Sequence, residues 1–405
     1  MDFDGKFNSL CKLYIIGVIE IRTVDLFCGC GGMSLGFQMC GYEIVGAFDF
    51  WQTALDCYAA NMAHPVFFQD LSKKNSSLRQ IRPLMPELII GGPPCQDFSS
   101  AGERKEGQRA NLTVSYAKII KNIRPKYFVM ENVTRAKSSN AYAEAREIFK
   151  SAGYGLTEEV LDASKCGVPQ KRKRFFCIGA LDAPDGFLTK YLAAEQLIIP
   201  LTVREYFKRN NYNLDFDYYY RHPRSYARRA IFSIDQPAPT IRGVNRPKPP
   251  EYIQHSGDAA PPDNINALTF RQRSYIQTFP ENYIFNGNQA ENEQMIGNAV
   301  PVNLAVHVAR ALSAYIANDI TFCSVAFSDW LTTKYGFTPL AVKDTISRIK
   351  RCNKMLLLGE LPQTDYIHNL DEQEPFKQLT KYVRSQLKRA AILYYEYLDS
   401  KNHRQ

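Results

Sequence analysis

Between residues 21 and 180, short apolar runs alternate with helix-like segments, and glycine, proline or a charged residue closes nearly every apolar run. Residues 21–27 read as a strand entering the turn CGCGG, with a helix over 33–40 behind it. A second strand and helix follow over 43–50 and 51–62. Further buried strands are expected at 88–90 and 127–130, with a helix over 113–123 between them and another strand over 174–180. This β-α-β-α rhythm predicts a mostly parallel sheet covered by helices on both faces. Open sheets of that kind bind ligands outside the carboxyl ends of their strands, so the strand ends are where chemistry is sought.

The chain has 405 residues, enough for a large domain with an insertion and a tail. Its formal net charge of +9 points weakly toward a polyanionic partner. The ten cysteines include no C-x-x-C pair, and Cys28 and Cys30 are too close for an ordinary structural zinc knuckle, so no metal site is expected. Irregular, unpaired cysteines suit a reducing compartment. No window approaches a continuous apolar span of membrane length, and the expected location is the cytoplasm.

Three successive strand ends carry a glycine turn and two acids. Gly29, Gly31 and Gly32 let the backbone approach a ligand closely. Asp49 stands about 20 residues beyond the turn, the separation at which a carboxylate meets ribose hydroxyls. Asp70 is placed to accept from an adenine amino group. An adenosine-containing cofactor without phosphates fits this trio, and S-adenosylmethionine is the natural candidate. Any one of the acids alone would read as a helix cap. Three further strand borders hold reactive types: Cys95 follows two prolines in ELIIGGPPCQDFS, Glu131 opens ENV, and Arg172 and Arg174 lie in QKRKR, a run that alone reads as a solvated face.

Taken together, DLFCGCGG, Asp49, Asp70, GGPPCQDFS, RANL, ENV, QKRKR, LTFRQRSYIQTFP and QMIGNAVP resemble the DNA (cytosine-5)-methyltransferase family, in its order, from residue 21 to about 315. The resemblance implies a Rossmann-like S-adenosylmethionine-dependent α/β domain, a smaller irregular β-rich target-recognition domain and, outside the match, an all-helical extension. Phe27, Gly29, Gly31, Asp49, Phe50, Asp70, Pro94, Leu112, Asn298 and Val300 then match the cofactor site, and Cys95, Glu131, Arg172 and Arg174 the catalytic set. The implied chemistry is addition of the Cys95 thiolate to C6 of a flipped-out cytosine, with Glu131 on the N3 edge and the arginines on O2. Residues 96–112 would form a closing loop. The segment LTFRQRSYIQTFP departs from the family pattern at Asn266 and Gln272, so no Arg–Glu ion pair is expected there.

The expected divisions are a catalytic domain over 20–184, target recognition over 185–270, a return segment over 271–318 and a helical extension over 321–405. Between 221 and 250 seven lysines and arginines face one acid, Asp235. Candidate DNA contacts are Ser99, Arg221, Arg224, Arg228, Arg229, Arg242, Asn245 and Arg246. The partner implied is double-stranded DNA, met by a monomer, with a cognate restriction endonuclease in the same system. The tRNA-directed branch of the family is disfavoured, because its CFTxxY segment is missing.

Overall fold

The computed structural model describes residues 21–94, 112–194, 196–223, 225, 228–322, 325–356, 358 and 361–402. Cys95, the expected closing loop up to residue 111 (with Ser99) and Arg224 lie outside the described residues.

Eight strands build the first half of the chain: β1 (Arg22–Leu26), β2 (Glu43–Asp49), β3 (Val66–Phe68), β4 (Leu88–Gly91), β5 (Tyr127–Val133), β6 (Tyr154–Asp162), β7 (Gln170–Lys171) and β8 (Lys173–Leu181). All but β7 join one sheet in the order β3-β2-β1-β4-β5-β8-β6. The first five run parallel, as the sequence pattern predicts. β8 reverses direction and pairs antiparallel with both β5 and β6. β6 escapes a search for apolar runs because Glu158 and Glu159 interrupt it at the sheet edge. The chain lays down β1, β2 and β3 toward one edge and then crosses to β4 and β5 on the other side of β1. The strand order therefore reverses between β1 and β4, which opens a crevice at their carboxyl ends.

β4 is buried at every position and β5 at all but its last, as parallel strands covered on both faces should be. One face packs Val24, Ile89 and Phe128 against Ile119, Ile120 and Phe149 from helices Leu112–Ile123 and Asn140–Ser151. The opposite face joins Ala54 and Tyr58 to Ile276, Phe279 and Ile296.

Residues beyond 200 add three short strands, β9 (Tyr218–Tyr220), β10 (Ile231–Ser233) and β11 (Ala238–Pro239). β9 and β10 form a hairpin-like pair, while β11 lies parallel to β7. Val203, Phe207, Tyr219, Phe232 and Ile241 share the second core cluster with Tyr58 and Ile296, so this segment is fused to the catalytic core rather than packed alone.

The chain divides into two compact units at Leu312/Ser313, inside the helix Val302–Phe322. The second unit is helical, with its own core of Phe327, Leu331, Ile349, Tyr366, Leu370, Leu387, Ala391 and Tyr394. Thr338 caps its helix Pro339–Met355 by accepting from the Ala341 N–H at 3.3 Å, with proline at the first helical position. One stretch among the described residues, Gln289–Ala317, is long and apolar enough to cross a membrane, and most of it is buried in the fold.

Candidate active site

The turn after β1 is conformationally special from end to end: Phe27, Gly29 and Gly31 all have positive φ, at 60°, 53° and 90°. At Gly31 a side chain is excluded twice, by its φ and by the Tyr283 hydroxyl, which would lie 2.9 Å from a Cβ. Gly32 sits under Val300, whose carbonyl would meet a Cβ at 2.3 Å. This contact brings Val300 to the glycine turn from the far end of the chain. Asn298, two residues earlier, is exposed and accepts from Gln294 at 2.9 Å.

Asp49 fixes the turn from β2. Its Oδ2 accepts from the Gly29 N–H at 2.8 Å, and its Oδ1 from Phe50 and Trp51 at 2.7 and 3.0 Å. An ionised carboxylate offers about four acceptor positions. Three are used, which leaves one on Oδ2 for a ribose hydroxyl. Burial raises the Asp49 pKa, against these three backbone donors. Beside it, the exposed rings of Phe50 and Phe68 stand 4.8 Å apart and form an apolar shelf of adenine size. Phe68 was not singled out from the sequence; an exposed aromatic ending a strand next to an acid is the signal. Asp70 accepts from the Ser72 hydroxyl at 2.6 Å through Oδ1. Pro94 is exposed after β4, and Leu112 opens its helix half-buried. The residues present thus fit an adenosyl cofactor.

Beneath the turn runs a chain of polar groups that the sequence did not reveal. The Tyr58 hydroxyl meets His64 Nε2 and donates to Ser34 Oγ, both at 2.6 Å, and Ser34 donates to Asp25 at 2.6 Å. Asp25 is fully enclosed, and burial pushes its pKa up to about 7. Burial also raises the thiols of Cys28 and Cys30, which stay protonated packing groups.

At the reaction end, Glu131 on β5 and Arg174 on β8 face each other, with Nε 2.9 Å from Oε1. The antiparallel register makes this possible, since Val133 pairs with Arg174 directly and Glu131 lies two residues away. Burial raises the Glu131 pKa, against the pull of Arg174 and then Arg172. Burial also lowers that of Arg174. Both partners thus report that desolvation exceeds the attraction, as it can for a buried pair. The consequence is a carboxyl that takes up a proton more readily than usual. Gly92 adjoins it, with a hypothetical Cβ 3.2 Å from Glu131 Oε2. Asn132 donates to the Pro93 carbonyl at 3.0 Å.

The run QKRKR is sorted by strand alternation: Gln170 and Arg172 are buried, Lys171 and Lys173 exposed, and Arg174 mostly buried. Arg172, expected in the catalytic set, is buried and donates its guanidinium to the carbonyls of Ile241, Gly297 and Ala299 at 2.8–3.0 Å, and it acts on Glu131 through charge.

Among the expected DNA contacts, Arg228, Arg229 and Arg246 are exposed. Arg229 lies over the Phe232 ring at 4.5 Å. Arg221 donates to the Thr240 carbonyl at 2.8 Å and Arg242 to that of His222. Arg221, Arg242 and Arg246 all add to burial in lowering the His222 pKa, which makes this an electropositive patch. Asn245 donates its amide inward to the Leu268 carbonyl at 2.8 Å and to Glu293 at 2.9 Å. Glu293 in turn forms a buried ion pair with Arg273. That pair uses positions other than Asn266 and Gln272, where no Arg–Glu pair was expected. Gln272 completes a capping box with Thr269 in place of a glutamate.

A crevice at the sheet's switch point, a glycine turn under an acid and a buried Glu–Arg pair define the architecture of a cofactor-dependent group-transfer enzyme. The chain belongs to the C-5 cytosine-specific DNA methylase family, whose model matches residues 21–314, and it is a DNA (cytosine-5-)-methyltransferase. It is 52% identical over 297 residues to the Type II methyltransferase M.HgiDI of Herpetosiphon aurantiacus, covering 73% of this chain and 95% of that protein. The Type II methyltransferase M.HindV of Haemophilus influenzae is 51% identical over 295 residues, covering 72% and 96%. The fold is also that of the S. pombe Dnmt2 methyltransferase, with a TM-score of 0.54 at 17% identity over 74% of this chain and 99% of that one.

Proposed function

We propose that the protein transfers a methyl group from S-adenosylmethionine to C5 of one cytosine within a short sequence of double-stranded DNA. In this reading it acts as a monomer in the cytoplasm, as the protective partner of a cognate restriction endonuclease. The observation that carries it is the buried Glu131–Arg174 pair at the strand ends flanking the GGPPC segment. S-adenosylmethionine supplies an electrophilic methyl on a sulfonium. Asp49, with its spare acceptor position, would hold the ribose, and Phe50 and Phe68 the adenine face.

Cytosine C5 is too weak a nucleophile to take that methyl unaided. The Cys95 thiolate adds to C6 and the ring becomes enamine-like at C5. Glu131, whose burial favours its protonated form, gives a proton to N3 as charge builds on the ring. Arg174 steadies the O2 side. After transfer, which leaves S-adenosylhomocysteine, a base removes the C5 proton, the thiolate is expelled and N3 returns its proton to Glu131, restoring both Cys95 and the acid. Because no duplex exposes both C6 and the N3 edge, the base must leave the stack. Arg221, Arg242 and Arg246 supply a cationic surface for phosphates and base edges. The two relatives bearing Type II names, each matched over nearly its whole length, support the restriction–modification setting.

The test is base-resolution mapping of 5-methylcytosine in DNA from a methylation-free bacterial host expressing the chain, beside Cys95→Ala. Methylation confined to one motif and absent in the variant is expected. Unmethylated DNA from a folded, cofactor-binding protein would refute the reading.

A further inference from the structure

The matched family segment ends at residue 314, and the two relatives above are covered almost completely without the helical unit that follows. Whatever that unit does is therefore added to the shared reaction. Its last helix, Lys381–Asn402, turns Leu387, Ala390, Ala391 and Tyr394 into the unit's own core. The outward side carries Lys381, Arg384, Lys388 and Arg389 at spacings of three, four and one, a continuous stripe on an α-helix.

The stripe lines a shallow groove of about 400 Å³ in which Asp371 is the sole carboxylate among the described residues. Asp371 is bound to Lys388 at 2.5 Å, which leaves three cations without an acidic partner in the groove. The Arg384 Nε is buried and has no hydrogen-bond partner. Tyr382 stands 72% exposed one residue along, an aromatic hydroxyl next to Lys381 in sequence.

We infer that this stripe is a second DNA-binding surface, which grips the phosphate backbone of duplex DNA independently of sequence. The inference rests on the reading of the chain as acting on duplex DNA. Lys381 and Arg389 are eight residues apart, about 12 Å of helix at 1.5 Å per residue. A DNA strand winds about its axis, so its consecutive phosphates stand farther apart than their axial rise of about 3.4 Å, and roughly two or three of them come within side-chain reach of that length, matching the three cations that Asp371 does not engage. A membrane surface is disfavoured because the helix has no free apolar face to insert; that face is already in the core. The groove offers no stack of aromatic platforms, so it suits a backbone rather than unstacked bases.

The test compares the full-length protein with its Lys381→Gln/Arg384→Gln/Lys388→Gln/Arg389→Gln variant, using fluorescence anisotropy on a duplex of about 30 base pairs lacking the methylation motif, over a range of salt. At about 0.9 per phosphate contact, the slope of log K against log salt becomes shallower by about 3, and affinity at 0.1 M salt falls at least about 10-fold. If the quadruple variant is misfolded by circular dichroism, the exposed pair Lys381→Gln/Arg389→Gln alone carries the test, with a slope change of about 2. A wild-type protein that methylates DNA while its folded variant keeps the same slope overturns the inference and spares the reading of the activity. So does a variant that loses affinity only for duplex RNA or for anionic vesicles. A wild-type chain that neither binds nor methylates duplex DNA sinks both together.

Discussion

The Asn132 side chain donates to the carbonyl of Pro93 at 3.0 Å, which ties the residue after Glu131 to the backbone two residues before Cys95. One side chain thus links the strand end that carries Glu131 to the described end of the segment that leads to the proposed nucleophile. Asn132→Ala should lower the methylation rate constant about 100-fold, the cost of roughly 1 Å of misplacement. Cofactor affinity should stay unchanged, since Asp49 and the glycine turn lie on other strands. Single-turnover kinetics with equilibrium cofactor binding would separate the two, and an unaltered rate would refute the positioning role.

Asp25 sets a pH dependence of stability. Its folded pKa is raised to about 7 from 3.8. Below 3.8 the carboxyl is protonated folded or unfolded, and its stabilising effect is complete. Between these values only the unfolded chain ionises, so stability falls as pH rises, and above 7 the loss is complete. At about 1.4 kcal/mol per pH unit the loss amounts to about 4 kcal/mol. Asp25→Asn should flatten that fall, measured as the difference in urea-unfolding free energy between pH 5 and pH 8 for variant against wild type. Equal pH dependence in the two proteins would contradict it.

Arg172→Lys should cost about 2–4 kcal/mol of stability, because an ammonium cannot span three carbonyls that a planar guanidinium serves at once, and each charged hydrogen bond is worth about 1.5–3 kcal/mol. A purely catalytic arginine would instead leave the denaturation midpoint in place and lower the rate.

Phe50→Ala should raise the KM for S-adenosylmethionine about 10-fold with kcat nearly constant, the signature of lost uniform binding. Folding should be untouched, because the ring is 62% exposed. A fall in kcat with KM unchanged would remove the adenine shelf from the proposal.

Much of the frame was legible because local physics wrote it. The run Leu88-Ile89-Ile90, cut off by Gly91-Gly92-Pro93-Pro94, is too short for a helix and reads as a doubly covered strand, and a glycine-rich turn between strand and helix follows from the dihedrals glycine allows. The Glu131–Arg174 pairing needed more, since it depends on β8 running against β5, a direction that no run of apolar residues encodes. Arg172 looked like one charge among several in a solvated run. Period-two alternation between exposed Lys171 and Lys173 would have marked it as inward. The inward contact of Asn245 was not legible, because its partner Glu293 is 48 residues away and is shared with Arg273.

Arg172 grips Ile241 by its main chain, and Gly243 lies so close to Gly297 that a Cβ there would be 2.1 Å from its nitrogen. Neither contact consults the outward side chains at Val244 and Arg246, both exposed. The loop is therefore mounted like an interchangeable bit in a fixed chuck. If the proposed role in reading DNA holds, substitutions at these outward positions would change the motif while the mount behind them stays as it is.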